Sequence, residues 1–194
     1  VLLQLPKIAT NLQELAELFF SEGVSYRIEC DVLSLNDEFA TDDPEYLTRF
    51  AEALSNNTSI YHIDLTYQEL LVLGLARENL FGTMLGANSV NITYLSLCGT
   101  YFNEYAQNIC LALKSMPNLE YLDVSGCGIQ SNTCAALINA IEVADNLISL
   151  NMSANNINYI EDRSRILMQM MDSCTYKKPP PQEKATDPLC NLIE

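Results

Sequence analysis

Two stretches near the middle of the chain, LEYLDVSGCGI from Leu119 and LISLNMSANNI from Leu147, repeat one pattern at an offset of twenty-eight residues: L-x-x-L-x-(V/M)-x-x-(C/N)-x-I. The alternation of Leu122, Asp123 and Val124 predicts a short strand with one buried face, and the Cys or Asn three residues on closes the turn that leaves it. Each stretch runs on into a helical pattern. One such unit cannot bury its apolar side alone and needs copies stacked beside it.

Copies are present upstream. ITYLSLCGTYF carries the pattern well, IYHIDLTYQEL less completely, and YRIECDVLSLND brings a strand with Leu33 and Leu35 inward. Aligning the central buried residues gives Leu33, Ile63, Leu95, Leu122 and Leu150, at offsets of 30, 32, 27 and 28. That period accommodates a strand and a full helix per unit. The helices are predicted from helical spacing: Tyr46, Leu47, Phe50, Ala51 and Leu54 after Pro44; Tyr105 to Leu113, ended by Pro117; roughly 132–143; and a last one carrying Met168, Met170 and Met171. The run at 70–73 fits neither period and is read as a loop, followed by a helix over 77–87 weakened by two glycines. An opening helix over Thr10–Phe20, ended near Gly23, makes residues 1–27 a half-repeat cap. Residues 28–172 form the repeat domain, and 173–194, with KKPPPQEKATDP, a proline-rich tail or linker.

Composition narrows the partners. The formal net charge is −15, and residues 1–60 hold eleven acids against three bases, a net −8. Nucleic-acid and anionic-membrane surfaces need clustered Lys and Arg, so neither is expected as a partner. No apolar run reaches the roughly 18 residues of a membrane helix, and the opening VLLQLP is too short for a signal peptide. The chain opens on Val, so its natural start is expected to lie further upstream. Seven cysteines, an odd number without a C-x-x-C pair, fit neither a disulfide framework nor a zinc site, and point to a reducing compartment such as cytosol.

The repeated stretches resemble leucine-rich repeat proteins of the ribonuclease-inhibitor-like class, over roughly residues 28–171. The family's Asn/Cys/Thr turn position is filled by Thr100, Cys127 and Asn155, while Gln68 and Glu38 depart from it. The resemblance implies an α/β solenoid, a right-handed horseshoe arc of about five repeats, with a parallel sheet on the concave face and helices on the convex face. It also implies that a partner docks on the concave face, through three exposed columns. These are Val32, His62, Tyr94, Tyr121 and Ser149; Ser34, Asp64, Ser96, Asp123 and Asn151; and Asn36, Thr66, Cys98, Ser125 and Ser153. None of them contains Lys or Arg, so a partner with a basic surface is expected. Tyr94 and Tyr121 are the expected anchors, with His62, Asp64, Ser96, Asp123 and Asn151 around them.

Catalytic readings are weaker. His62 and Asp64 share a face with Ser34 and Ser96, but side chains two apart on a strand are rooted about 6.5–7 Å from one another, and no oxyanion hole or strained nucleophile turn accompanies them. The acidic run Asp37, Glu38, Asp42, Asp43 lacks the D-x-D-x-D-G order of a calcium loop. No phosphate-binding glycine loop or metal-ligand cluster is visible. The expectation is a monomeric, non-enzymatic protein-binding module without a cofactor. The alternative is the recognition domain of a larger enzyme or signalling protein. Eighteen asparagines and few arginines suit an AT-rich genome, which adds a narrower reading as a bacterial effector acting in host cytosol.

Overall fold

A computed structural model describes residues 2–4, 8–9, 27–29, 31–35, 43–55 and 57–157. The opening helix, Glu38, Asn36, most of the acidic run, the methionine-bearing helix, the tail, and Cys30, Cys174 and Cys190 lie outside them.

The fold is α/β with parallel sheets. β1 (Leu2–Gln4) pairs with β3 (Arg27–Glu29) in a two-stranded sheet. Among the described residues the main sheet has six strands in the order β2 (Ile8–Ala9), β4 (Val32–Ser34), β5 (His62–Asp64), β6 (Tyr94–Ser96), β7 (Tyr121–Asp123) and β8 (Ser149–Asn151), every neighbouring pair parallel. The last five are the strands read from the repeat, in the expected register, since Leu33, Ile63, Leu95, Leu122 and Leu150 lie directly opposite one another. All five are buried. β2 adds a strand ahead of them.

Five α-helices lie between the strands among the described residues. α1 (Pro44–Ser55) starts where Asp43 Oδ1 accepts the Glu45 N–H at 2.9 Å, and Pro44 needs no donor in the first turn. It buries Tyr46, Leu47, Phe50, Ala51 and Leu54. α4 (Ala106–Leu113) and α5 (Ser131–Ile141) fall where the spacing places them.

The unit between β5 and β6 differs from the sequence reading. The 70–73 run is helix, not loop: α2 spans Glu69–Arg77 and buries Leu71, Val72, Leu75 and Ala76. Its flanks contact both α1 and α4, so apolar residues are useful nearly all round and the period is hidden. The single helix expected over 77–87 does not form. Asn79 takes a left-handed φ of 56°, which ends one helix before α3 (Phe81–Leu85) begins, and Gly86 at φ 48° passes into a 3-10 turn over Gly86–Val90. This doubled helix accounts for the long 32-residue spacing between Ile63 and Leu95.

The turn position after each strand is a shared piece of packing. Gln68 and Thr100 are buried, and Gln68 Nε2 donates to the Leu35 carbonyl of the previous unit at 3.4 Å. Cys127 Sγ lies 3.1 Å from the Leu97 carbonyl, and Asn155 Nδ2 donates to the Val124 carbonyl at 2.8 Å. Asn155 Oδ1 also accepts the Cys127 and Ile129 N–H groups, both at 3.0 Å. Gln68, which departs from the family pattern, fills the same role as Asn155 by reaching back one unit with an amide.

Candidate protein-binding face

The side chains flanking the buried central residue of each strand form two rows across the sheet. Strand pairing places Val32, His62, Tyr94, Tyr121 and Ser149 directly opposite one another, and likewise Ser34, Asp64, Ser96, Asp123 and Asn151. In the first row the rings of His62 and Tyr94 stack with centroids 3.9 Å apart, and those of Tyr94 and Tyr121 with centroids 4.5 Å apart, each pair within 2° of parallel. Neighbouring strands are about 4.8 Å apart, so rings that follow the sheet meet face to face. The three make a continuous half-buried ladder. The sequence reading paired the tyrosines but gave His62 no place in their stack, because nothing in its spacing shows how its ring turns.

The second row closes turns as well as facing outward. Asp64 Oδ1 accepts the Thr66 N–H at 3.0 Å and its hydroxyl at 2.6 Å. Asp123 Oδ1 does the same for Ser125, at 2.8 and 2.6 Å, and Asn151 Oδ1 accepts the Ser153 N–H at 3.1 Å. The second oxygen of Asp123 accepts the Asn151 amide at 3.0 Å and lies 3.3 Å from the Tyr121 hydroxyl. Two members of the expected exposed columns are not exposed. Ser96 retains 2% of its surface and Ser125 8%. Both are short: Ser96 stands between Asp64 and Asp123 with its hydroxyl 2.8 Å from that of Thr66, and Ser125 Oγ bonds Asp123 and approaches Cys98 Sγ at 3.2 Å.

The Ser-His-Asp grouping does not assemble among the described residues. The His62 ring lies against Tyr94, the Asp64 Oδ1 is taken up by Thr66, and the Ser96 hydroxyl faces Thr66.

A feature missed in the sequence lies where the strands end. Tyr67 and Tyr101 are 69% and 61% exposed. Tyr67 packs against Gly99, and Tyr101 against Gly128, where an added Cβ would come within 2.9 Å of its ring. Tyr67 itself holds φ at 59°, the position that Gly99 and Gly126 fill at 72° and 64° and Ala154 at 55°. Tyr101 stands two positions after Gly99 in its own turn, and a single tyrosine following Thr is no signal by itself.

Electrostatically the face is acidic. Between Asp31 and Ile157 the basic residues other than His62 are Arg49, Arg77 and Lys114, all in helices or at a helix end. Burial lowers the proton affinity of His62 despite the opposing charge of Asp64. Burial also raises the phenol of Tyr94, helped by Asp64 and Asp123, and pushes Tyr121 up to about 12, with the Asp123 charge adding to it. Burial raises the Cys127 and Cys134 thiols to about 11 and about 12, so both behave as small apolar groups. Among the described residues no cluster of His, Cys, Asp or Glu could hold a metal ion, and no single helix is long and apolar enough to cross a membrane.

Compared with family models, curated proteins and solved structures, the chain matches none.

Proposed function

We propose that the chain is a leucine-rich repeat module of the ribonuclease-inhibitor-like type that binds a partner protein, without catalysis, through the exposed face of its sheet, the concave face of an arc. The observation that carries this reading is the His62–Tyr94–Tyr121 ladder set beside Asp64 and Asp123. Stacked rings are already ordered, so a partner that covers them loses little side-chain freedom. Tyrosine is also among the residues that concentrate binding energy at interfaces. The absence of Lys and Arg from the rows favours a partner with a basic surface. The strict succession of parallel strands and the turn residues Gln68, Thr100, Cys127 and Asn155 support the repeat assignment. An effector working in host cytosol fits the cysteine usage and the asparagine-rich composition.

Affinity capture from cytosolic extract tests the reading, with the intact chain beside a Tyr94→Ala/Tyr121→Ala variant and a Leu111→Ala variant, Leu111 being exposed on α4. A partner lost only from the double tyrosine variant supports it. A partner lost only from the Leu111 variant would move the site to the helices.

A further inference from the structure

We infer that the space beside the outer face of Tyr121, above Ser149, receives an arginine side chain of the partner protein. The inference rests on the sheet face being the protein-binding surface.

The row Val32, His62, Tyr94, Tyr121, Ser149 offers one position per strand, each about 4.8 Å wide, room for one planar group. His62, Tyr94 and Tyr121 fill theirs with rings. On the His62 side the row runs on through Val32 to Ile8 of β2, neither of them a planar residue. At the other end the residue is Ser149, a small side chain where the preceding strands carry rings, and no ring stacks on that side of Tyr121 among the described residues. The ladder therefore stops one planar group short on the Ser149 side.

The neighbouring row gives that position a charge. The Tyr121 hydroxyl lies 3.3 Å from Asp123 Oδ2, which also accepts the Asn151 amide, so a group lying along the ring to its hydroxyl end meets the charge of that carboxylate. Asp123 and Asn151 flank it from the paired strands. A guanidinium suits both features: it is flat and stacks on aromatic faces, and its charge is favoured beside the Asp123 carboxylate, whose acceptor sites are already engaged. An ammonium also pairs with the carboxylate, but as a compact, strongly hydrated charge it cannot stack flat and gives up more hydration on the ring face. A neutral ring uses the face but not Asp123.

The test is an NMR titration of the full chain with the blocked peptides acetyl-Gly-Arg-Gly-amide, its lysine, citrulline and phenylalanine counterparts. The arginine peptide is expected to shift the Tyr121 ring signals and the amides of Ser149 to Asn151 saturably, at least fivefold more tightly than the other three. Ser149→Phe, which continues the stack into the open position, should abolish those shifts. Asp123→Asn, which keeps the acceptor for Ser125 though not for Asn151, should weaken them severalfold while the amide spectrum away from Asp123 and Asn151 stays that of the parent. Equal responses to lysine or phenylalanine, or arginine shifts unaltered by both substitutions, overturn the inference. A captured partner lost from the Tyr94→Ala/Tyr121→Ala variant but retained by Ser149→Phe would sink the arginine position while leaving the binding face standing. Arginine shifts at Tyr121 together with a partner indifferent to the double variant would do the reverse.

Discussion

Tyr94 and Tyr121 lie face to face, ring centroids 4.5 Å apart, because the parallel register puts them directly opposite each other on neighbouring strands. Ring contact and surface charge should then govern different steps of binding. Association with a captured partner should slow as salt rises, because screening shortens the reach of Asp64 and Asp123. Loss of both tyrosines should mainly speed dissociation. Surface plasmon resonance separates the two. Association indifferent to salt, with dissociation unchanged in the double variant, would place the site elsewhere.

Leu122 and Asp123 are sequence neighbours with opposite surroundings. Leu122 is 1% exposed, and Leu122→Ala should cost about 2–5 kcal/mol. From alternation alone Asp123 looks like a solvated charge whose removal is nearly free. Its four hydrogen bonds change that: Asp123→Ala should cost about 1–2 kcal/mol, as for loss of a capping side chain, and Asp123→Asn, which keeps the Ser125 bonds but loses the Asn151 one, somewhat less. Denaturant unfolding of the three variants checks the order. An Asp123→Ala chain as stable as the parent would show that these bonds add nothing net.

The left-handed turns offer a matched pair. Gly126 has φ 64° and room for a Cβ, its nearest contact 3.7 Å away, so Gly126→Ala should cost only the conformational penalty, about 1–2 kcal/mol. Gly99, at φ 72°, also has the Tyr67 ring packed on it. Gly99→Ala should therefore cost more, and the excess should vanish in a Tyr67→Ala background. An excess that persists without Tyr67 would mean the ring is not what constrains this turn.

Two groups of the ladder give opposite pH limits. His62 binds a proton less readily folded than unfolded, so the fold favours neutral imidazole; its contribution is complete above the ordinary value of 6.5 and declines as pH falls below it. Tyr121 keeps its proton to about 12 against an ordinary 10, so its contribution is complete below pH 10 and is lost as pH rises toward 12. Melting temperatures of the parent should fall relative to a His62→Phe variant between pH 7 and 6, and relative to a Tyr121→Phe variant between pH 10 and 11. Differences that stay constant across both windows would count against the two assignments.

The repeat pattern alone placed the five strands β4 to β8 and their register, though not β1, β2 or β3. A short period-2 segment with one buried residue, repeated every 27 to 32 positions, admits one stacking in which Leu33, Ile63, Leu95, Leu122 and Leu150 align. Reading the same columns outward brought Tyr94 beside Tyr121. Tertiary structure decided what periodicity does not encode. The 70–73 run became helix because α1 and α4 cover its flanks, and Asn79 and Gly86 divided the segment after it by left-handed φ values. Ser96 was buried by larger neighbours on adjoining strands, and His62 joined the ladder by turning its ring parallel to Tyr94. Asp123 became a capping group, and Tyr67 and Tyr101 met the glycines of the next unit. The burial of Ser96, the turn of the His62 ring and the contacts of Tyr67 and Tyr101 depend on the residue one strand away, some thirty positions distant in the chain, and on a side-chain rotation that local pattern leaves free.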